Sequence, residues 1–143
     1  MWMAIIFAMS TGVGAPQSTS RFIVPILTWL IPDISPESLH AIRFMIRKVM
    51  HVIEYAILAG LVWRALFQPT AKDNRKWSWP VAGKAFAITV VYAATDEWHQ
   101  SFVPHRVGSI FDVGFDGFGA AIAVVALWCF RQTRNRSTPA ADD

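Results

Sequence analysis

The chain has 143 residues, of which 54% are hydrophobic and only 16% are charged, and its formal net charge is +3. About 25% of the residues in a typical soluble domain are charged, so this composition favours a helical membrane protein with one domain. The apolar content excludes a disordered chain, and the single cysteine excludes a scaffold of internal disulfide bonds. The basic excess is typical of the loops of a membrane protein, so nucleic acid is not an expected partner.

The first 31 residues predict short apolar segments. Residues 1–9 reach about half of the roughly 20 residues that a membrane-spanning helix needs. They lack a basic start and a cleavage site, so we interpret them as the end of a first transmembrane helix and not as a signal peptide. Residues 16–20 are predicted to form a loop. Residues 21–31 are apolar but interrupted by Pro25, which suits a re-entrant or interfacial segment.

A long uninterrupted helix is predicted next. Ser35 is a suitable N-cap, Pro36 a suitable first helical residue, and no proline follows before residue 68. Residues 49–67 are apolar enough to span a membrane, and further spans are predicted at residues 81–102 and 110–130. The predicted fold class is therefore an all-α polytopic membrane bundle, with about four transmembrane helices of which the first is short.

The distribution of basic residues predicts the orientation of the bundle. Eight of the 13 Lys and Arg residues flank the loop at residues 68–78 or follow the last span, and five lie on the other side. The positive-inside rule then places this loop and both chain termini in the cytoplasm. We assign residues 1–130 to one membrane domain, and residues 131–143 to a cytoplasmic tail that is basic, then acidic, and expected to be disordered.

Ionisable side chains occur inside or at the edges of the predicted spans. Each costs about 2.5–3.5 kcal/mol on insertion at the centre of a span, so seven of them in a small chain indicate a shared site. With the orientation above, all seven lie at the extracytoplasmic ends of their spans. The sequence therefore predicts one polar cluster near the outer leaflet, containing His51, Glu54, Asp96, Glu97, His99, Asp112 and Asp116.

Helical spacing places several of these residues on shared faces. His51 and Glu54 are three residues apart, and Lys48 and Tyr55 extend the same stripe. Asp96 shares a face with His99 and Gln100, Glu97 projects about 100° away, and Asp112 and Asp116 are four residues apart. Small-residue pairs follow in the last span, where they favour close helix packing: Gly117 with Ala121, and Gly119 with Ala123.

Two blocks of these residues resemble the VanZ-like family of bacterial membrane proteins. The first block is Arg47-Lys48-x-x-His51-x-x-Glu54-Tyr55-Ala56-x-Leu58. The second is Asp96-Glu97-x-His99-Gln100-x-Phe102-Val103-Pro104-x-Arg106-x-Gly108-Ser109-x-x-Asp112-x-x-x-Asp116-x-x-Gly119. The resemblance covers roughly residues 1–130, and the family is named after an accessory protein that lowers susceptibility to teicoplanin. It implies a multi-pass protein of the bacterial inner membrane, with a role in the cell envelope linked to glycopeptide susceptibility.

The first function predicted for the cluster is an intramembrane enzyme, a hydrolase or transferase, acting on a lipid-linked or phosphate-bearing substrate. The seven clustered residues are its candidate catalytic groups. The candidate substrate-binding residues are Lys48, Tyr55, Gln100 and Arg106, of which Arg106 is able to hold a phosphate bidentately. No cofactor is assigned, although Asp96, Asp112, Asp116 and His51 carry donors that suit a divalent metal ion.

Other functions remain open from the sequence. One is a non-catalytic protein that binds or transports lipids or glycolipids, with the cluster as its headgroup site. Another is a polar core without a ligand, in which His51 and Glu54 join two spans, and Asp112 and Asp116 pair with Arg106 and Lys48. In each case the expected partners are membrane lipids and, if the few spans are to enclose a substrate pathway, a second copy of the chain.

Overall fold

In the computed structural model, residues 1–10, 16–67, 77–103 and 108–136 are described. Within these ranges the chain forms helices and no strand, which confirms the all-α class. The helices are α1 (Trp2–Ser10), α2 (Pro16–Leu30), α3 (Pro36–Phe67), α4 (Trp79–Gln100) and α5 (Ile110–Arg136).

Local sequence signals explain where the long helices begin. The Ser35 hydroxyl accepts the backbone N–H of Ser38 at 3.2 Å, so the predicted cap of α3 is present and Pro36 opens the helix. Ser78 precedes α4 in an extended conformation, with a proline at the start of the helix. Before α5, the Ser109 hydroxyl accepts the backbone N–H of Phe111 at 3.3 Å.

Two helices are long and apolar enough to cross a membrane in the part of the chain that the structure describes: Pro36–Phe67 and Ile110–Thr133. This is fewer than the four spans predicted. The first two helices have 9 and 15 residues and fall short of the roughly 20 that a span requires. Helix α4 is long enough at 22 residues, but Lys84, Asp96 and Glu97 reduce its apolar character.

Several predicted boundaries differ from the structure, including the span predicted at residues 81–102, which is helix Trp79–Gln100. Residues 16–20 belong to α2 and do not form a loop, because Pro16 occupies the first turn, where the missing N–H of proline costs nothing. Helix α5 continues to Arg136, beyond the end predicted at residue 130. The loop predicted at residues 68–78 lies outside the described residues except for Trp77 and Ser78, and the end of the tail, residues 137–143, lies wholly outside them.

Helices α3, α4 and α5 pack against one another and form the core, with the most extensive contact between α3 and α5. Gly119 of α5 lies directly against the backbone of Val52 in α3, so a Cβ atom at this position would clash with the Val52 carbonyl. Gly117 faces α4, where an added Cβ would lie 3.6 Å from the side chain of Val90. The predicted role of small residues in close helix packing is therefore seen at Gly119.

Aromatic rings gather where α3 ends and α4 begins. Trp63 stacks on Trp77 with ring centroids 5.5 Å apart, and Trp79 contacts both Trp77 and Trp128. The guanidinium of Arg131 lies 5.2 Å from the ring centroid of Trp63. Such a girdle of Trp with a basic residue is typical of a membrane–water interface.

The outward faces of the helices are strongly apolar. Trp29, Ile110 and Phe111 are among many large apolar side chains that are exposed, with Phe111 78% exposed. Apolar surface on this scale is unfavourable in water, since monomeric soluble proteins rarely expose large contiguous apolar patches. The surface therefore fits a lipid environment.

Candidate functional site

The centre of the polar cluster is a pair between α3 and α5. His51 Nδ1 lies 3.2 Å from Asp116 Oδ1. Asp116 is fully buried, and its second oxygen, Oδ2, has no hydrogen-bond partner among the described residues. Asp116 stands three residues before Gly119, and His51 is adjacent to Val52, whose backbone contacts Gly119. The close helix contact and the polar pair are thus parts of one interface.

Glu97 brings α4 into the same cluster. One of its carboxylate oxygens accepts the backbone N–H of Ser109 at 2.9 Å, while Oε1 is buried and has no hydrogen-bond partner in the described part of the chain. Gly108 lies so close to the backbone of Glu97 that a Cβ atom there would clash with its carbonyl oxygen. One donor atom from each of His51, Glu97 and Asp116 lies within 4.8 Å of the others.

A buried ion pair lies one turn from the His51–Asp116 pair. Lys48 of α3 and Asp112 of α5 form a direct salt bridge, and both residues are buried. The Lys48 ammonium also lies over the rings of Phe44 and Phe115, at 5.0 and 5.2 Å from their centroids. Asp112 and these two rings therefore surround the cationic group, so it is engaged within the protein.

Asp96 faces a different neighbour. Its Oδ2 accepts hydrogen bonds from the Ser10 hydroxyl and from the Gln100 side chain, both at 2.8 Å. The carboxylate thereby fastens α1 to the end of α4. Its other oxygen, Oδ1, is buried without a hydrogen-bond partner among the described residues. Tyr55 is fully buried, and its ring centroid lies 6.4 Å from that of His51.

Two of the predicted catalytic residues lie at the contact with α1. The backbone carbonyl of Glu54 accepts a hydrogen bond from the Trp2 indole at 3.2 Å, and the Glu54 side chain is half-buried. The His99 ring lies 4.6 Å from the ring of Phe7, measured between centroids. His99 does not belong to the group of donor atoms formed by His51, Glu97 and Asp116. Arg106 lies outside the described residues.

The donors that converge differ from those expected for a metal ion. Asp96 and Asp112, which the sequence favoured, are engaged by Ser10 and Gln100 and by Lys48. Glu97 takes their place, because it projects about 100° from Asp96 and so faces α3 and α5 while Asp96 faces α1. The spacing of the motif predicts that Asp96 and Glu97 point in different directions. It does not predict which neighbouring helix each of them faces.

Ser10 is a residue of the site that the sequence analysis did not single out. It is 5% exposed and donates to a buried carboxylate that is 86 positions away in the chain. Its only signal in the sequence is a hydroxyl that ends an apolar segment, which is too common to predict such a contact. The first helix, although short, therefore contributes to the polar cluster.

A comparison with known protein families identifies the family of the chain. The model of the VanZ/LLP1 family matches residues 1–131 of the chain. The chain belongs to the VanZ/LLP1 family. The matched range contains every residue of the polar cluster, and membership together with the two long apolar helices supports a membrane protein. Neither the curated proteins nor the solved structures contain a match to the chain.

Proposed function

We propose that this VanZ/LLP1-family protein is an integral membrane enzyme that acts on a lipid-linked or phosphate-bearing substrate of the bacterial cell envelope. The observation that carries the proposal is the buried pair of His51 and Asp116 with Glu97 beside it. Burying ionisable groups among apolar helices costs free energy, and such buried ionisable groups are enriched at functional sites.

The proposed topology is a multi-pass bundle in the inner membrane. Helix α4 crosses the membrane with α3 and α5 because it is 22 residues long and packs against both. The short α1 completes the bundle through its hydrogen bond from Ser10 to Asp96. Both termini then lie in the cytoplasm, and the polar cluster faces the outer leaflet, where the end of α4 meets the start of α5.

The proposed chemistry is hydrolysis or transfer at an ester bond of a lipid headgroup. Asp116 orients the His51 ring, and His51 takes a proton from the attacking water or hydroxyl and returns it to the oxygen that leaves. Glu97 lies beside this pair, where we propose that it limits the positions that a substrate can take. Tyr55, Gln100 and Arg106 are the proposed contacts to the headgroup.

A second candidate function is favoured by the unpartnered oxygens of the cluster. Asp96, Glu97 and Asp116 each present a buried carboxylate oxygen without a hydrogen-bond partner in the described residues. Hydroxyl groups of a glycolipid are able to donate to such oxygens, so the same cluster would serve a protein that binds or transports glycolipids. Oligomerisation would supply the wall that a transport pathway needs.

The lipid composition of cells tests the enzyme proposal. Expression of the wild-type chain is expected to deplete one phosphate-bearing or lipid-linked species and to accumulate its product, as measured by mass spectrometry of the extracted lipids. Removal of the proton-transfer group in His51→Ala should abolish this change. His40→Ala is the matched control, because His40 is exposed near the start of α3 and should leave the change intact.

Two outcomes would count against the enzyme. An unchanged lipid profile with folded wild-type protein would contradict it, as would an equal change with His51→Ala. Binding of one lipid species without its conversion would support the binding or transport alternative. If the enzyme is correct, altered teicoplanin susceptibility should follow the same pattern among the variants, because it depends on the envelope pool that the enzyme changes.

A further inference from the structure

We propose that His51, Glu97 and Asp116 hold a divalent metal cation, which allows this acid-rich site to receive a phosphate group. The choice of a phosphate-bearing substrate rests on the proposed function above, but the binding of the ion rests on the geometry of three side chains. Each comes from a different helix of the core: His51 from α3, Glu97 from α4 and Asp116 from α5. With the ion bound, His51 is a ligand, so a carboxylate of the cluster, and not the His51 ring, then takes the proton from the attacking water or hydroxyl and returns it to the leaving oxygen.

The separation of the donor atoms fits a shared ion. Bonds from Zn²⁺ to nitrogen or oxygen are about 2.0–2.2 Å long, so two ligand atoms on one ion are at most about 4.4 Å apart. The donor atoms of His51, Glu97 and Asp116 lie within 4.8 Å of one another. Three ligand atoms on one ion are at most about 3.8 Å from one another, so side-chain movements of about 1 Å suffice to bring all three onto one ion.

Buried carboxylate oxygens without hydrogen-bond partners are a second, independent observation that favours a bound cation. Asp116 is 0% exposed and Glu97 is 4% exposed, yet Oδ2 of Asp116 and Oε1 of Glu97 have no hydrogen-bond partner in the described residues. Polar atoms buried in this way are costly unless something satisfies them. A cation between the two carboxylates would satisfy both, while the Ser109 backbone N–H keeps the other oxygen of Glu97 in position.

The charge of the cluster favours a cation over a bare phosphate. Five carboxylates lie on these three helices near the pair, and the Lys48 ammonium already forms a salt bridge with Asp112. A site with this excess of negative charge attracts cations and repels phosphate. A divalent ion reverses the local field and offers open coordination positions to phosphate oxygens. The five carboxylates are Glu54, Asp96, Glu97, Asp112 and Asp116.

The donor set narrows the class of ion. One imidazole nitrogen with two carboxylates combines a borderline ligand with hard ligands, which suits Mn²⁺ or Zn²⁺ better than Ca²⁺ with its larger all-oxygen shell. Three protein ligands also leave at least one position open, as in metal sites that bind substrate. We therefore choose Mn²⁺ as the probe, because its electron paramagnetic resonance signal distinguishes free from bound ion.

Titration of Mn²⁺ alone into the purified full chain tests the inference. The protein is extracted in mild detergent, stripped with a chelator and titrated while the free ion is measured by electron paramagnetic resonance. We expect one ion for each wild-type chain, and binding at least about tenfold weaker in Glu97→Gln and in Asp116→Asn. Asp33→Asn, an exposed carboxylate between α2 and α3, is the matched control and should bind like wild type.

The outcome separates this inference from the proposed function. Wild-type protein that melts cooperatively but binds no stoichiometric Mn²⁺ would overturn the metal site, as would equal binding by Glu97→Gln. Lipid conversion that persists in excess chelator would also overturn it while leaving the enzyme in place. Stoichiometric binding that both variants lose, without any lipid conversion, would support the metal site and contradict the enzyme.

Discussion

Asp116→Asn is expected to abolish the lipid change that the wild-type chain produces, while the protein still folds. The amide has nearly the same volume as the carboxylate and fits the same buried space. It loses the negative charge that orients His51 at 3.2 Å and stabilises that ring when it carries a proton. General acid–base groups contribute about 10²- to 10⁴-fold to rate, so the loss should reach at least about 100-fold. Lipid analysis of cells with matched expression measures it.

Controls separate a functional role of Asp116 from a structural one. Asp33→Asn makes the same chemical change at an exposed position and should keep full activity. Helix content and melting temperature of purified Asp116→Asn should stay close to wild type. If Asp116→Asn retained the lipid change, the pair would not be the catalytic centre. If the variant only failed to fold, the polar core without a ligand would be the better account.

Gly119→Ala is expected to destabilise the protein and to remove its function together. A Cβ atom at residue 119 would collide with the carbonyl of Val52, which belongs to the backbone of α3 and is unable to move aside without opening the helix contact. Overpacking of this kind typically costs about 1–3 kcal/mol. Opening the contact also separates His51 from Asp116. Thermal unfolding in detergent, followed by circular dichroism, should show a lower melting temperature.

The same substitution elsewhere in the helix provides the control. An added Cβ at Gly114 meets nothing within 4 Å, so Gly114→Ala should be as stable as wild type or slightly more stable, because alanine favours helix over glycine. Equal melting temperatures for Gly119→Ala and Gly114→Ala would show that the close contact between α3 and α5 does not limit stability. The role assigned to Gly119 would then be wrong.

Sequence signals predicted the long helices better than the N-terminal region. Ser35 and Pro36 mark the start of α3 unambiguously, since a capping hydroxyl before a first-turn proline has one common structural use. Pro16 was interpreted as part of a loop, but the same residue type also opens helices, and here it opens α2. Of the four predicted spans, two are long and apolar enough to cross a membrane in the described residues, because the first is short and α4 carries Lys84, Asp96 and Glu97.

The members of the site were predictable from the sequence, but their pairing was not. Spacing of three and four residues places Lys48 with His51 and Asp112 with Asp116 on common faces. Which member of one face meets which of the other depends on the rotation of α3 against α5. The small residue Gly119 predicts a close helix contact, but not that its partner is the Val52 backbone, and so not the rotation of α3 against α5.

Which of two neighbouring acidic residues lies beside the His51–Asp116 pair also depends on contacts between distant parts of the chain. Asp96 and Glu97 are adjacent, and both are buried, at 4% exposure each. Asp96 turns toward α1 because Ser10 supplies a hydroxyl there, and Glu97 turns toward the backbone of Ser109. The contacts that distinguish them come from a short helix far away in the chain and from the start of α5, and neither is visible in the local sequence.

The most direct test of a catalytic site at His51 and Asp116 is lipid turnover by the purified protein. The wild-type chain, reconstituted into vesicles of inner-membrane polar lipids with Mn²⁺ present, is followed over time by mass spectrometry. We predict a steady loss of one phosphate-bearing or lipid-linked species and an equal gain of its product, both absent with His51→Ala. An unchanged lipid composition with folded wild-type protein, or equal turnover by His51→Ala, would contradict the account.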